Sequence, residues 1–369
     1  MPLHDVGYRP WSGRRAGPGA ASGVIAATGI RLAWTSRWLR RAVFFAWSPA
    51  ILFAGSFFAF EQSIEEGRFA SLKERAQMGR NLDGVGMLGA VLADTLGRTA
   101  NERHVSDADD IVRTRKLVWS RLLLAFMRAP QAVLLAVVVG LVAPSLISRD
   151  LRARAWLVYF TRPVGRFEYI LGKIAILSTI VAAITVLPAV ALWLAGVLVS
   201  PSIRVALETC DLPLRIVAAS ASLAIPTVLL ALAYSSLTTE SRIASFAWFA
   251  TWAACSIAHA SLTTADLVAA AEAPAATAWE TGDDARETTE DERPPPRRAN
   301  WIARAAGLDD TIDRWAWLSP YHAVGVVQAW IFGVETRPRA VLPSVVSLTV
   351  VSILSAVVLA RRVALPTRA

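Results

Sequence analysis

The side chains of this chain that could do chemistry collect in one stretch, at positions 149–173, between two long apolar runs. The stretch is strongly basic: its charged residues are Arg149, Asp150, Arg152, Arg154, Arg162, Arg166, Glu168 and Lys173. Asp150 and Arg154 stand four residues apart, a spacing at which opposite charges can pair along a helix. Trp156 and Phe160 have the same spacing and share one face. Leu151 lies between the charged residues.

Pro163 should end this helix, because the residue before a proline, here Arg162, is pushed out of the α region. The spacing therefore predicts a short basic helix from Arg149 to Phe160 with an aromatic face. Such a helix is suited to docking into a groove on a soluble protein. An anchoring loop, whose arginines only follow the rule that cytoplasmic loops are basic, explains the composition equally well.

Other motifs are rejected on their surroundings. The sequence GVGMLG at 84–89 matches a dinucleotide-binding pattern but follows a charged, helix-like stretch and not a strand. Gly172 and Lys173 resemble the end of a phosphate-binding loop, but the residues around them do not complete it. Zinc-protease, nucleophile-elbow and Cys/His motifs are missing from the sequence. The chain is therefore expected to be no enzyme, with no catalytic, cofactor-binding or metal-binding residues.

Composition places the chain in a membrane. Of 369 residues, 54% are hydrophobic and only 18% are charged, and the mean hydropathy is +0.44. The charges form blocks between uncharged runs, as in a chain that sits in hydrocarbon. The net charge of +9 could indicate a nucleic-acid partner. Its arginines flank apolar runs, however, so we expect contacts with membrane lipid and none with nucleic acid.

The apolar runs predict the fold class: an all-α polytopic membrane protein with six transmembrane helices. About 20 apolar residues are needed to cross a bilayer. The six predicted spans are 42–60, 129–148, 174–199, 216–237, 243–262 and 340–360. Pro188 and Pro226 fall inside two of them and are interpreted as kinks. No charged residue lies in the middle of a span, which argues against a proton- or sodium-driven carrier.

The distribution of arginine and lysine predicts the orientation. Basic residues dominate the segment before the first span, the 149–173 loop and the C-terminal tail at 361–369. Both termini and that loop are therefore placed in the cytoplasm. Residues 1–22 are expected to be a disordered tail, and residues 61–128 an extracytoplasmic loop.

Three segments outside the spans have their own character. Residues 23–41 place Ile30, Trp34 and Trp38 on one helical face and predict an interfacial helix with arginines reaching anionic lipid, or else an extension of the first span. The acidic, proline-rich stretch 263–299 predicts a flexible outer loop. Residues 300–339 are rich in tryptophan and predict interfacial or re-entrant helices, or equally a small folded cap.

Three short sequences carry a family resemblance: LISRDLR at 146–152, YFTRP at 159–163 and RFEYILGK at 166–173. In this order they resemble the junction between the second and third spans of bacterial type-two ABC exporter permeases. That family usually has serine where this chain has Thr161, which keeps the hydroxyl. The local match covers about 30 residues, and the six-span layout extends it over most of the chain.

The resemblance implies a permease in the bacterial plasma membrane that dimerises, with itself or with a second permease chain. It also implies a separate ATP-binding subunit that holds ATP and magnesium, with no cofactor in this chain. Arg149 to Phe160 would be the helix through which that subunit moves the spans, with Arg162 and Pro163 at its end. A membrane scaffold or sensor that uses its outer loops is the alternative of another class, and a membrane-embedded enzyme is a third.

Overall fold

The computed structural model describes residues 19–66, 107–128, 132–155, 164–272 and 314–364, and within these ranges every regular element is a helix. The helices in chain order are α1 (Ala20–Thr35), α2 (Arg37–Glu65), α3 (Asp107–Phe126), α4 (Ala132–Val142), α5 (Pro144–Arg152), α6 (Arg166–Val199), α7 (Arg204–Glu208), α8 (Asp211–Leu237), α9 (Ser241–Glu272), α10 (Pro320–Ile331) and α11 (Pro338–Ala364). A 3-10 turn, Ala316–Leu318, precedes α10.

Six stretches of the described residues are long and apolar enough to cross a membrane, which confirms the predicted number. They are Arg37–Glu65, Val133–Arg152, Arg166–Val199, Asp211–Leu237, Ser241–Asp266 and Pro338–Val363. Helices α6 and α8 continue through Pro188 and Pro226. Most boundaries extend several residues beyond the predicted ones. Helix α9 reaches Glu272, inside the expected flexible loop, and α11 reaches Ala364, inside the expected tail; the rest of both segments lies outside the described residues.

Two apolar clusters fill the bundle, and they define its two ends. The loop end is where α5 ends and α6 begins, and its cluster joins α4 and the first half of α6 to α8, α9, α10 and α11. The far end is where α2 and α6 end, and its cluster joins those ends to α3 and the beginning of α8. Helices α2 and α6 run side by side in the same direction, and the Trp47 indole of α2 donates to the carbonyl of Ala183 at 3.0 Å.

The chain breaks between α1 and α2 at Ser36. This residue has an extended backbone, with φ −67° and ψ 116°, and its hydroxyl accepts a hydrogen bond from the Leu39 N–H as the cap of α2. The predicted helix over 23–41 is therefore wrong in its boundary, because Trp38 and the arginines at 40 and 41 belong to α2. The hydroxyl of Ser36 offers the cap that separates the two helices.

Helix α3 lies where the sequence predicted a loop. Residues 118–126 are buried at the far end, including Trp119, Leu122 and Phe126 of its apolar cluster. The rings of Trp119 and Phe57 of α2 meet edge to face, with centroids 5.3 Å apart. The expected loop 61–128 therefore contains a helix that is part of the bundle, while residues 67–106 lie outside the described ranges.

A buried ion pair joins α3 to α2. Glu61 is 1% exposed, and its Oε1 accepts from the Arg115 Nε at 3.0 Å and from the Trp119 indole at 3.1 Å. Arg115 also approaches the Glu208 carboxylate at 3.7 Å. The predicted loop 61–128 began at this residue. Its first residues belong instead to α2, which continues to Glu65, and α3 covers the Glu61 carboxylate with an opposite charge.

The segment before the last span packs among the other helices. The Ser347 hydroxyl in the third turn of α11 donates to the Trp317 carbonyl at 2.8 Å. From there α10 runs toward the far end, where Gln328 donates to the Ala219 carbonyl and Arg215 donates to the Ile331 carbonyl. The interfacial, re-entrant and cap interpretations of residues 300–339 all stay predictions. Residues 300–313 lie outside the described ranges, and the side of the membrane on which the segment begins stays a prediction.

Candidate functional site

The basic stretch identified in the sequence begins on α5, whose first turns are hydrogen-bonded to a side chain of another helix. Pro144 is its first residue, a favoured position for proline because the missing N–H is not needed there. The Ser235 hydroxyl of α8 accepts hydrogen bonds from the Ile147 and Ser148 N–H groups, both at 3.1 Å, and donates to the Pro144 carbonyl at 2.7 Å. These bonds hold α5 against α8.

Asp150 forms the centre of a charged cluster that links α5 to α6. Its Oδ2 accepts from the Lys173 ammonium at 2.7 Å and from the Tyr169 hydroxyl at 2.8 Å. The Lys173 side chain is 9% exposed and that of Asp150 is 21% exposed, so the pair is largely shielded from water. The ammonium also lies 5.3 Å from the centre of the Tyr169 ring, close enough for a cation–π contact. The end of α5 is thus fixed to the beginning of α6.

A second ion pair fixes α5 to the turn between α8 and α9. The Arg152 guanidinium pairs with the Glu240 carboxylate, and both side chains are about half exposed. Exposed pairs of this kind contribute little to stability, about 0–1 kcal/mol. The contact nevertheless joins α5 to the turn between α8 and α9, in addition to α6 and α8.

Glu168 joins α1 to the same region. Its two carboxylate oxygens accept from the N–H groups of Gly165 and Gly19, each at 2.8 Å. The first contact closes the start of α6, and the second holds the start of α1 beside it. Gly172 allows this approach, because a Cβ there would lie 2.7 Å from Ile25 Cγ2 of α1. The loop end is therefore a connected surface built from α1, α5, α6 and the α8–α9 turn.

The helix predicted from Arg149 to Phe160 is interrupted. Helix α5 ends at Arg152, and Arg154 has φ +49°, a left-handed conformation that is uncommon outside glycine. The sequence suggested a pair between Asp150 and Arg154, but Asp150 pairs with Lys173. Trp156, Phe160, Arg162 and Pro163 lie outside the described residues. Arg149, Arg152 and Arg154 are exposed, while Leu151 is half-buried against the loop-end cluster.

The left-handed turn at Arg154 gives a testable prediction. Replacing Arg154 with asparagine should raise the free energy of unfolding by about 0.5–1 kcal/mol, because asparagine tolerates this conformation better than other residues with a side chain. The thermal unfolding of the purified protein in detergent would measure this. Arg149→Asn, in the helix itself, is the control and should lower the unfolding temperature slightly. Equal destabilisation by both would contradict the assignment of strain to Arg154.

Sequence reasoning missed the partners that hold the basic stretch in place. Tyr169 and Lys173 were visible as an aromatic residue and a cation four apart in the RFEYILGK motif, but nothing in the sequence pointed to Asp150 as their partner. Ser235 and Glu240 lie far along the chain and had no local signal. No group of three or more His, Cys, Asp or Glu side chains that could hold a metal ion occurs among the described residues.

An uncharged cavity lies deeper in the bundle, between α8, α9, α11 and the segment before α10. Its volume is about 290 Å³, and Trp248, Trp252 and Trp317 contribute to its wall. The hydroxyls of Tyr234 and Thr251, which also line it, bond to each other at 2.6 Å. The cavity thus has an aromatic lining with few polar groups and no ionised side chain.

Comparison with known families agrees with this architecture. A family model described as ABC-2 family transporter protein matches residues 35–363, which include all six candidate spans and α5. No curated protein and no solved structure is a significant match. Since the match covers most of the chain, the protein belongs to the ABC-2 family of transporter proteins.

Proposed function

We propose that this chain is the permease subunit of an ATP-binding cassette exporter of the plasma membrane, and that α5 transmits movement from a separate ATP-hydrolysing subunit. The observation that carries the proposal is the attachment of α5. It is bonded to α8 through Ser235, to α6 through Asp150, and to the α8–α9 turn through Arg152. A partner that pushes on this helix would therefore move three helices together.

The exposed arginines supply the docking surface. Arg149 and Arg154 have no acidic partner among the described residues, and both side chains face solvent. Arginine is frequent at the energetically important positions of protein interfaces because its planar guanidinium can form several hydrogen bonds at once. An acidic or carbonyl-lined groove on the ATP-hydrolysing subunit would be complementary to them.

Dimerisation is part of the same proposal. The outer faces of α2, α8 and α11 carry many exposed large apolar side chains, among them Phe44, Leu214 and Leu354. In a membrane such faces contact lipid or a second permease chain, and van der Waals packing decides between them. Two permease chains would present two α5 helices to two ATP-hydrolysing subunits.

Affinity purification tests the docking surface. The tagged protein would be purified from its native membranes in mild detergent, and the co-purifying chains identified by mass spectrometry and assayed for ATP hydrolysis. We expect a chain with a phosphate-binding loop. With the variant Arg149→Ala/Arg154→Ala, the co-purified ATPase activity per permease should be at most one tenth of the wild-type value. This corresponds to a loss of binding free energy of about 0.7 kcal/mol for each arginine.

The control variant is Arg361→Ala/Arg362→Ala, which makes the same change of charge in the last turn of α11, where both side chains are exposed. It should retain the ATPase. If both variants lose the partner equally, general charge and not α5 is responsible. If the wild-type protein brings down no ATPase while it remains folded, a membrane scaffold or sensor becomes the better description.

A further inference from the structure

A groove between α1, α2 and α6 combines apolar walls with two arginines. Its volume is about 620 Å³. The apolar part of the wall is formed by Ala27, Ile30, Ile180 and Ala183, and the remaining lining residues are Arg31, Trp34, Thr35, Arg40 and Thr179. The groove therefore offers a nonpolar surface and a cationic one side by side. These surfaces are complementary to an amphipathic ligand with negative charge.

The two arginines are available for such a ligand. Arg31 lies near the end of α1 and Arg40 in the first turn of α2, and both are exposed. No carboxylate among the described residues pairs with either of them. Guanidinium groups form short, charge-assisted hydrogen bonds to phosphate oxygens, often two at a time. A phosphate group between Arg31 and Arg40 would supply the anion that the protein itself does not provide.

The backbone keeps the groove in shape. Ser36 turns the chain between α1 and α2, so that Arg31 and Arg40 are brought to the same opening although they lie on different helices. Gly29 and Gly172 let α1 lie directly against α6, because a Cβ at Gly29 would overlap the Ile176 side chain and one at Gly172 would crowd Ile25. The groove is thus present without a ligand, and binding does not have to pay for its formation.

We propose that this groove binds an anionic phospholipid. The phosphate lies between Arg31 and Arg40, and part of one acyl chain covers Ile30, Ile180 and Ala183. Trp34, at the opening, has the amphipathic ring that is enriched at the level of lipid headgroups. Each direct guanidinium–phosphate hydrogen bond contributes about a factor of five to the affinity, whereas an arginine outside the groove acts only through screened charge.

Native mass spectrometry of the purified protein in detergent tests the site directly. Phosphatidylglycerol and phosphatidylcholine of the same chain length would be titrated into the wild-type protein and into Arg31→Gln/Arg40→Gln. We expect one phosphatidylglycerol molecule to bind more tightly than the rest, and about thirtyfold weaker binding in the double variant. Phosphatidylcholine should bind weakly to both.

The chain offers a matched control. Arg37→Gln/Arg41→Gln removes the same two charges from exposed positions of the same region, but neither residue lines the groove. Its affinity for phosphatidylglycerol should stay within about threefold of the wild type. Equal loss in the two double variants would overturn the site and leave only general attraction between the basic surface and anionic lipid.

Two further arms separate the phosphate from the chain. Ala27→Phe keeps both arginines but fills the apolar part of the groove, so it should weaken lipid binding. It also tests the site if the arginine variant is unstable. Inorganic phosphate at millimolar concentration should compete poorly with the lipid. If phosphate displaces the lipid efficiently, or if Ala27→Phe has no effect, the groove is an anion site only and the phospholipid proposal fails.

Discussion

Replacing Glu61 with alanine should lower the free energy of unfolding by about 3 kcal/mol, the largest effect that we expect from a single substitution in this protein. The change leaves the Arg115 guanidinium, only 6% exposed, without its main partner inside an apolar cluster. It also removes the acceptor of the Trp119 indole N–H. Glu208, at 3.7 Å from the guanidinium, compensates in part, which places the expected value at the low end for a broken buried pair. Thermal and denaturant unfolding in detergent, followed by tryptophan fluorescence, would measure it.

Two variants control for other causes. Glu65→Ala removes an exposed acid one turn further along α2 and should change stability by less than about 0.5 kcal/mol. Glu61→Ala/Arg115→Met removes both charges and should recover most of the loss, because a buried pair replaced by apolar groups is often close to neutral. If Glu61→Ala were as stable as Glu65→Ala, α3 could not be packed against α2 as described.

Replacing Asp150 with alanine should cost about 2–3 kcal/mol, because it leaves the Lys173 ammonium largely buried and unpaired. The expected cost is smaller than for Glu61, since the Asp150 side chain is still 21% exposed and water can reach it. The substitution also releases the end of α5 from α6. We therefore expect the purified protein to lose stability, measured by thermal unfolding. The proposed coupling through α5 further predicts that a co-purified ATPase loses its stimulation in lipid vesicles.

Arg152→Ala separates the buried contact from the exposed one on the same helix. Its partner Glu240 is half exposed, so the loss should stay below about 1 kcal/mol. Asp150→Leu/Lys173→Met should restore stability, since it removes both charges of the pair. Equal destabilisation by Asp150→Ala and Arg152→Ala would show that the Asp150–Lys173 pair is exposed to water in solution.

The spans and the family could be predicted because their signals are local. The length of an apolar run bounded by arginines can be counted directly in the sequence. The loop at 146–173 likewise carries its family motif within one short stretch. Six candidate spans and a family match over residues 35–363 confirm both predictions. The cytoplasmic position of the termini and the role of α5 in coupling stay predictions, because neither a membrane nor a partner chain has been observed.

Helix α3 was missed because composition and periodicity point in different directions there. Its first turns are rich in aspartate and arginine, which is typical of a loop outside the membrane. Its second half nevertheless repeats Val118, Leu122 and Phe126 every four residues, the spacing of a buried helical face. Giving that periodicity more weight than the charge of the first turns would have predicted a helix that packs on the bundle.

The end of α5 and the partners of Asp150 could not be read from the sequence. Residues 153 and 154 are alanine and arginine, neither of which is a stop signal, and the first stop signal after them is Pro163. The pair of Asp150 and Lys173 joins residues on two helices, and its formation depends on how those helices pack. Contacts of this kind are set by the tertiary structure, whereas helical periodicity describes one element at a time.

The second span is built from two pieces that are bonded to different neighbours. The carbonyl of Ala136, in α4, accepts from the Trp248 indole of α9 at 2.9 Å, whereas α5 is hydrogen-bonded to Ser235 of α8. Ala143 and Pro144 lie between the pieces, and the proline removes one main-chain hydrogen bond there. A force on α5 would then act at this joint, where the missing hydrogen bond makes a change of angle between α4 and α5 less costly than elsewhere in the span.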